Sequence, residues 1–124
     1  MRIVNAIAKK GEELAVEYLK KKGYKIIDRN FRRGYGEIDI VAIDSSEREK
    51  ILIFIEVKTR SSTKFGSPLE AISPWKLKFL IRTAQFYKMI HPNLPNSLRI
   101  DAISVRLISN NSLGSIEHIE NITV

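Results

Sequence analysis

The run ILIFIEVK, residues 51 to 58, constrains the fold of this chain more than any other stretch. Its first five residues, Ile51 to Ile55, leave no polar face, and three of them are isoleucine. An extended segment of this kind must be covered on both sides, which places it at the centre of a sheet with packing above and below. Five apolar residues are far short of a membrane span. The run then ends on Glu56 and Lys58, which share one face of a strand because side chains two apart point the same way.

The flanking segments supply the rest of a layered fold. Residues 3 to 22 repeat apolar side chains at helical spacing (Ile3, Ile7, Leu14, Ala15, Tyr18, Leu19), and Gly23 gives a helix stop. Strands are expected at 24–31, 37–43, 51–57, 98–108 and 116–122. Gly34 to Gly36 form a turn, and 44–50 and 59–68 connect elements. Ser73 followed by Pro74 is a cap with proline at the first helical position, so a second helix runs to about Ile90. Helix, three strands, helix and two strands predict an α/β fold around a central mixed β-sheet. With 124 residues, 44% of them hydrophobic, the chain suits one domain, residues 1–124. It has no cysteine, hence no disulfide or zinc-thiolate site, and the N-terminus lacks a continuous apolar signal core; the expectation is a cytoplasmic protein without a membrane partner.

Acids stand where buried strands are expected. Glu37 and Asp39 share a face opposite Ile38 and Ile40, and a hairpin turning near 46–48 brings Asp39 level with roughly Glu56. Two neighbouring carboxylates at the end of an apolar strand are unfavourable without a cation between them. Lys58 or Arg60 could supply it through salt bridges, or a hard divalent ion with oxygen ligands could, for which magnesium is suited. An Asp, a Glu and a Lys converging beside basic flanks fit metal-assisted attack of water on a phosphodiester.

Those flanks are strongly basic. Residues 20–34 hold seven Lys and Arg against Asp28 alone, and residues 58–82 hold six against Glu70 alone, within a formal charge of +7. Such patches suit a polyphosphate backbone, with a merely basic surface as the alternative.

The motifs GEID (36–39) and FIEVKTR (54–60) resemble the catalytic signature of the PD-(D/E)XK, or restriction-endonuclease-like, superfamily. The wider set, KKGEELAVEYL (9–19), GYKIIDRNFR (23–32), GEIDIVA (36–42), FGSPLEAISPWK (65–76) and RIDAISV (99–105), resembles the YraN family of bacterial proteins over nearly the whole chain. Ile38 stands where the superfamily name places proline. The resemblance implies a restriction-endonuclease-like αβββαβ core, and a metal site built from Asp39, Glu56 and the carbonyl of Val57 for Mg²⁺ or Mn²⁺. Lys58 would stand beside the attacking water, either as base or, as its acidic neighbours favour, as a charged stabiliser. Archaeal Holliday junction resolvases of the same superfamily add a glutamate from the first helix. Glu12 borders the buried stripe here and Glu13 does not, so Glu12 is the candidate.

The function expected is a divalent-metal-dependent nuclease or DNA-processing protein, with a non-catalytic nucleic-acid-binding or assembly module as the alternative. Arg29, Arg32, Arg33, Arg60, Lys64 and Lys76 are the candidate nucleic-acid contacts, and DNA is the expected partner. Lys76 either snorkels or turns toward the acids. Trp75, Phe79, Phe86 and Ile90 form a second apolar stripe on the second helix, which either packs under the C-terminal strands or joins two copies in a homodimer. Arg99 and Asp101 are expected to pair with each other. His91 and His118 are read as structural.

Overall fold

The computed structural model describes residues 3–34, 36–61 and 72–123. Along the chain lie α1 (Ile3–Lys21), β1 (Lys25–Arg33), β2 (Gly36–Asp44), β3 (Ile51–Arg60), α2 (Pro74–Ile90), β4 (Ser97–Leu107) and β5 (Leu113–Ile119). The strands form one sheet in the order β1-β2-β3-β4-β5. Neighbours are antiparallel except β3 and β4, which run parallel and are joined by the crossover through α2. The fold is therefore α/β with a mixed sheet between two helices, consistent with a restriction-endonuclease-like core.

β3 occupies the centre because its first half has no face that tolerates water. Leu52, Ile53, Phe54 and Ile55 are all within 1% of complete burial. Ile53 and Ile55 pack with Ala15 and Leu19 of α1, whereas Leu52 and Phe54 pack with Leu80, Ala84 and Tyr87 of α2. The strand's period of two thus sorts one apolar run into two cores.

Local chemistry sets the helix ends. α1 stops at Gly23, whose φ of +96° only glycine adopts without strain; Gly23 N and Tyr24 N return to the carbonyls of Lys20 and Leu19. At α2, Ser73 Oγ accepts from Lys76 N at 3.1 Å and Pro74 fills the first helical position. Two other glycines allow close approach. A Cβ at Gly11 would lie 1.8 Å from Thr59 Oγ1, and one at Gly36 would lie 1.8 Å from Thr83 Oγ1. α1 can therefore lie against the end of β3, and α2 against the start of β2.

Several strand limits differ from the sequence expectation. β3 continues past Val57 because its ladder with β4 runs on to Arg60 opposite Arg106. β5 spans 113–119 rather than 116–122, because Asn121 turns into the left-handed region (φ 56°) and gives its N–H to Asp101 Oδ1. The expected alternation of β2 also breaks: Ile38 joins the core on the α2 side and Ile40 the core on the α1 side. The strand turns between them, at Asp39.

Candidate functional site

β2 and β3 part company at the acids. Their ladder ends at Ile40 opposite Ile55, and continuing that register sets Asp39 level with Glu56. The backbone N–H of Val57 is instead taken by the Asp39 side chain, whose Oδ2 accepts it at 2.7 Å. Asp39 thus does the work of a missing ladder partner, and its carboxylate is held at the mouth of the opening.

Glu56 lies beneath, only 3% exposed, on the α2 side of the sheet that Leu52 and Phe54 also face. Its Oε2 forms a salt bridge with Lys76, from the first turn of α2, and lies 3.6 Å from Lys58 Nζ. Lys76 has therefore turned toward the acids. Burial, and then the hydrogen bond and charge of Glu56, push the Asp39 carboxyl up to about 8; the Val57 N–H opposes this only in part. The uncharged form of Asp39 is thereby favoured. Burial also lowers the pKa of Lys58, and the neighbouring Lys76 lowers it further against the pull of Glu56. This departs from the sequence expectation that adjacent acids would raise it. Lys76 takes up Glu56, so Lys58 receives too little compensation for its burial. Burial works against the charge of Lys76 as well, but its bond to Glu56 prevails and raises its pKa.

Two hollows meet at this point. One, of about 570 Å³, is bordered by Glu12, Arg29, Asn30, Asp39 and Lys58. The other, of about 320 Å³, is bordered by Asp39, Glu56, Lys58, Lys76 and Phe79. Asp39, Val57 and Lys58 line both. Glu12 thus reaches the same cleft, but its Oε1 accepts from Arg29 Nε at 2.9 Å and from Asn30 Nδ2 at 3.1 Å. Asn30 does this from a left-handed backbone (φ 55°) that asparagine tolerates better than most residues. That tolerance was its one signal in the sequence.

The remaining candidates are dispersed. Arg32 lies on the cleft wall and approaches Glu37 at 3.5 Å. Arg33 sits over the Phe86 ring, 3.6 Å from its centroid. Arg60 is half-buried at the end of β3. Lys64 lies outside the described residues. Among the described residues no three Asp, Glu or His side chains converge to hold a metal ion. A cation at this point would have Asp39 and Glu56 as its side-chain ligands. The pair fits such a group chemically, because two crowded carboxylates are the hard oxygen donors that a divalent ion takes.

Arg99 and Asp101 do pair, with Nε to Oδ1 at 2.9 Å. They belong to a second polar cluster, on the α1 side of the sheet. There Asp101 Oδ2 also meets His118 Nε2 at 2.8 Å, and Arg99 reaches the Tyr24 hydroxyl at 2.9 Å. Lys22 Nζ lies 3.1 Å from His118 Nδ1. An ammonium can only donate, so Nδ1 accepts and Nε2–H is the donor to Asp101. His118 therefore has a partner that its position in the sequence did not disclose.

Fold and site together define an α/β protein whose central mixed sheet opens at one strand end onto a pair of acids and a pair of lysines. The model of the family described as "Uncharacterised protein family UPF0102" matches residues 11–105, and the chain belongs to that family. It is 44% identical over 111 residues to a UPF0102 protein of Syntrophomonas wolfei, covering 90% of this chain and 91% of the relative. A relative from Persephonella marina is 42% identical over 113 residues (91% and 89%). One from Thermotoga petrophila is 48% identical over 97 (78% and 83%). No helix among the described residues is long and apolar enough to cross a membrane.

Proposed function

We propose that this protein is a divalent-metal-dependent nuclease of the restriction-endonuclease-like type, hydrolysing phosphodiester bonds in nucleic acid, with DNA the preferred partner. The observation that carries this reading is the crowding of Asp39 against Glu56, with Lys58 beside them, where β2 and β3 separate. A chain folding for stability alone would gain by replacing one of these acids. Asp39 and Glu56, with the Val57 carbonyl, would hold Mg²⁺ or Mn²⁺. Once bound, the ion supplies charge neutralisation for the acidic pair and Lewis-acid polarisation of the phosphate.

The chain's own residues do the rest. Lys58, half-buried and with its charged form disfavoured by burial, would orient the attacking water and exchange a proton with it. Lys76, which stays charged, offsets negative charge that develops on the phosphate. Glu12, held by Arg29 and Asn30, adds a third acid to the cleft wall. The basic surface steers the polyanion toward it.

The test is single-turnover cleavage of labelled single strands, duplexes, flaps and four-way junctions with Mg²⁺ or Mn²⁺. Lys58→Ala should lower the rate by about 10² to 10⁴, while affinity falls by no more than about tenfold. Metal should raise the melting temperature of the wild type and not of Asp39→Ala. If the wild type cuts none of these substrates, and Lys58→Ala merely weakens binding, the non-catalytic binding module takes the place of the nuclease.

A further inference from the structure

The second stripe of α2 lies beside the cleft; Phe79 and Phe86 are half-buried, Phe86 against Phe31 of β1, while Trp75 and Ile90 are exposed. Trp75, Phe79, Arg82 and Phe86 follow one another at four, three and four residues, so they share one helix face. Trp75 is 70% exposed, the largest exposure among the big apolar side chains described. Phe79 meets its ring edge-on at 5.0 Å between centroids. Between this stripe and the end of β1 runs a groove of about 470 Å³, lined by Arg33, Gly34, Phe79, Arg82 and Thr83. Phe79 also borders the hollow that holds Asp39 and Glu56. Phe79 therefore borders both the acidic hollow and a groove that carries two arginines.

We propose that this groove, together with the exposed Trp75 ring that meets Phe79 at its edge, binds an unpaired stretch of nucleic acid, one base stacking on Trp75 while Arg82 and Arg33 hold adjoining phosphates. The proposal deepens the nuclease reading and rests on it: it makes single-stranded or branched nucleic acid, rather than continuous duplex, the preferred substrate class. Two observations favour it over the alternative occupant, a second copy of this chain. α2 carries Lys76, Lys78, Arg82 and Lys88 and not one acid. A two-fold contact between two copies would set this charge against itself. A flat exposed indole on the helix face that also carries Arg82 suits a base and its phosphate.

Trp75 is the only tryptophan in the chain, so its fluorescence reports on this site alone. The experiment titrates the full chain, free of metal so that nothing is cut, with a short oligothymidylate and with a blunt duplex of equal length. Binding is followed in parallel by the anisotropy of a label on the nucleic acid. The expected result is quenching by the single strand. Trp75→Ala should bind the single strand about tenfold or more weakly, with duplex affinity within about twofold of wild type, and Trp75→Phe should recover most of the loss. Single-strand binding that leaves Trp75 emission unmoved, or an equal loss toward both nucleic acids, overturns this proposal while leaving the nuclease reading intact. Binding of neither nucleic acid overturns both. A dimer that Trp75→Ala converts to monomer in light scattering also overturns it, and assigns the stripe to a contact between copies.

Discussion

Asp39 and Asp101 are both acids on strands of one sheet, yet their surroundings differ sharply. Asp101 is completely buried and fully partnered, by Arg99 Nε at 2.9 Å, Arg99 NH2 at 3.0 Å, His118 Nε2 at 2.8 Å and the N–H of Asn121 at 2.9 Å. Burial works against its charge, but these bonds outweigh it and hold its carboxyl below the usual range. Asp39 has one backbone donor and a second acid beside it, and its carboxyl is held far above that range. One cluster is closed, with its charges balanced inside the fold. The other crowds two acids together, and Asp39 is held far above its usual range although Lys58 and Lys76 stand next to it. Burial of an acid alone therefore says little about function, whereas a carboxyl that stays strained after burial is what the proposed metal would relieve.

The contrast breaks first, and with the largest effect, at Asp101. Asp101→Asn keeps the volume but removes the charge that compensates Arg99, whose side chain is only 15% exposed. Loss of one partner of a buried ion pair should lower stability by about 3–5 kcal/mol in urea unfolding. A loss below about 1 kcal/mol would show that the second cluster is not the closed, stabilising one described here.

At Asp39 the sign reverses. Its folded pKa of about 8 lies above the unfolded carboxylate value, so the native state binds the extra proton between about pH 4 and pH 8. Stability of the metal-free protein should therefore fall as pH rises through that window, as the proton is lost. Asp39→Asn keeps an acceptor for Val57 N–H and carries no charge, so it should flatten this fall. It should be more stable than wild type at pH 8 by at least about 1 kcal/mol, the equivalent of less than one pKa unit. Asp101 behaves in the opposite way: with its folded pKa lowered, its contribution is complete above about pH 4 and is lost as pH falls through the lower folded value. Urea midpoints measured across pH separate the two, and equal slopes in wild type and Asp39→Asn would remove the strain assigned to the acidic pair.

How much of this contrast could be read in the sequence follows from the range of the interactions. The acids at 39 and 56 are legible because a period of two and one hairpin register are enough to bring them level. The two helices and the central place of β3 follow equally from local pattern and from an apolar run that has no polar face. The salt bridge from Lys76 to Glu56 is not legible, since helical spacing tells which face a lysine occupies but not where that face crosses the sheet. His118 and Asp101 come together only through the register of β4 against β5, and 116–122 by itself points to a strand three residues too late. Asn30 and Glu12 require a left-handed residue inside a strand, for which no periodicity gives warning.

The smallest effect is expected at the rim of the closed cluster, and it tests whether closure is a property of the buried groups alone. Glu120 lies 3.3 Å from Lys22 Nζ and 3.4 Å from Arg99 NH1, but its side chain is 49% exposed. Water screens both contacts, and a flexible side chain must be ordered to make them, so pairs of this kind contribute between 0 and about 1 kcal/mol. Glu120→Ala should therefore cost less than about 1 kcal/mol in urea unfolding and leave the pH slopes unchanged. Arg99 keeps Asp101 and the Tyr24 hydroxyl, and His118 keeps Asp101, so no buried charge loses its partner. A loss comparable to that of Asp101→Asn would mean that the balance around Asp101 depends on the rim, and the cluster would then be as open to its surroundings as the acids at the end of β3.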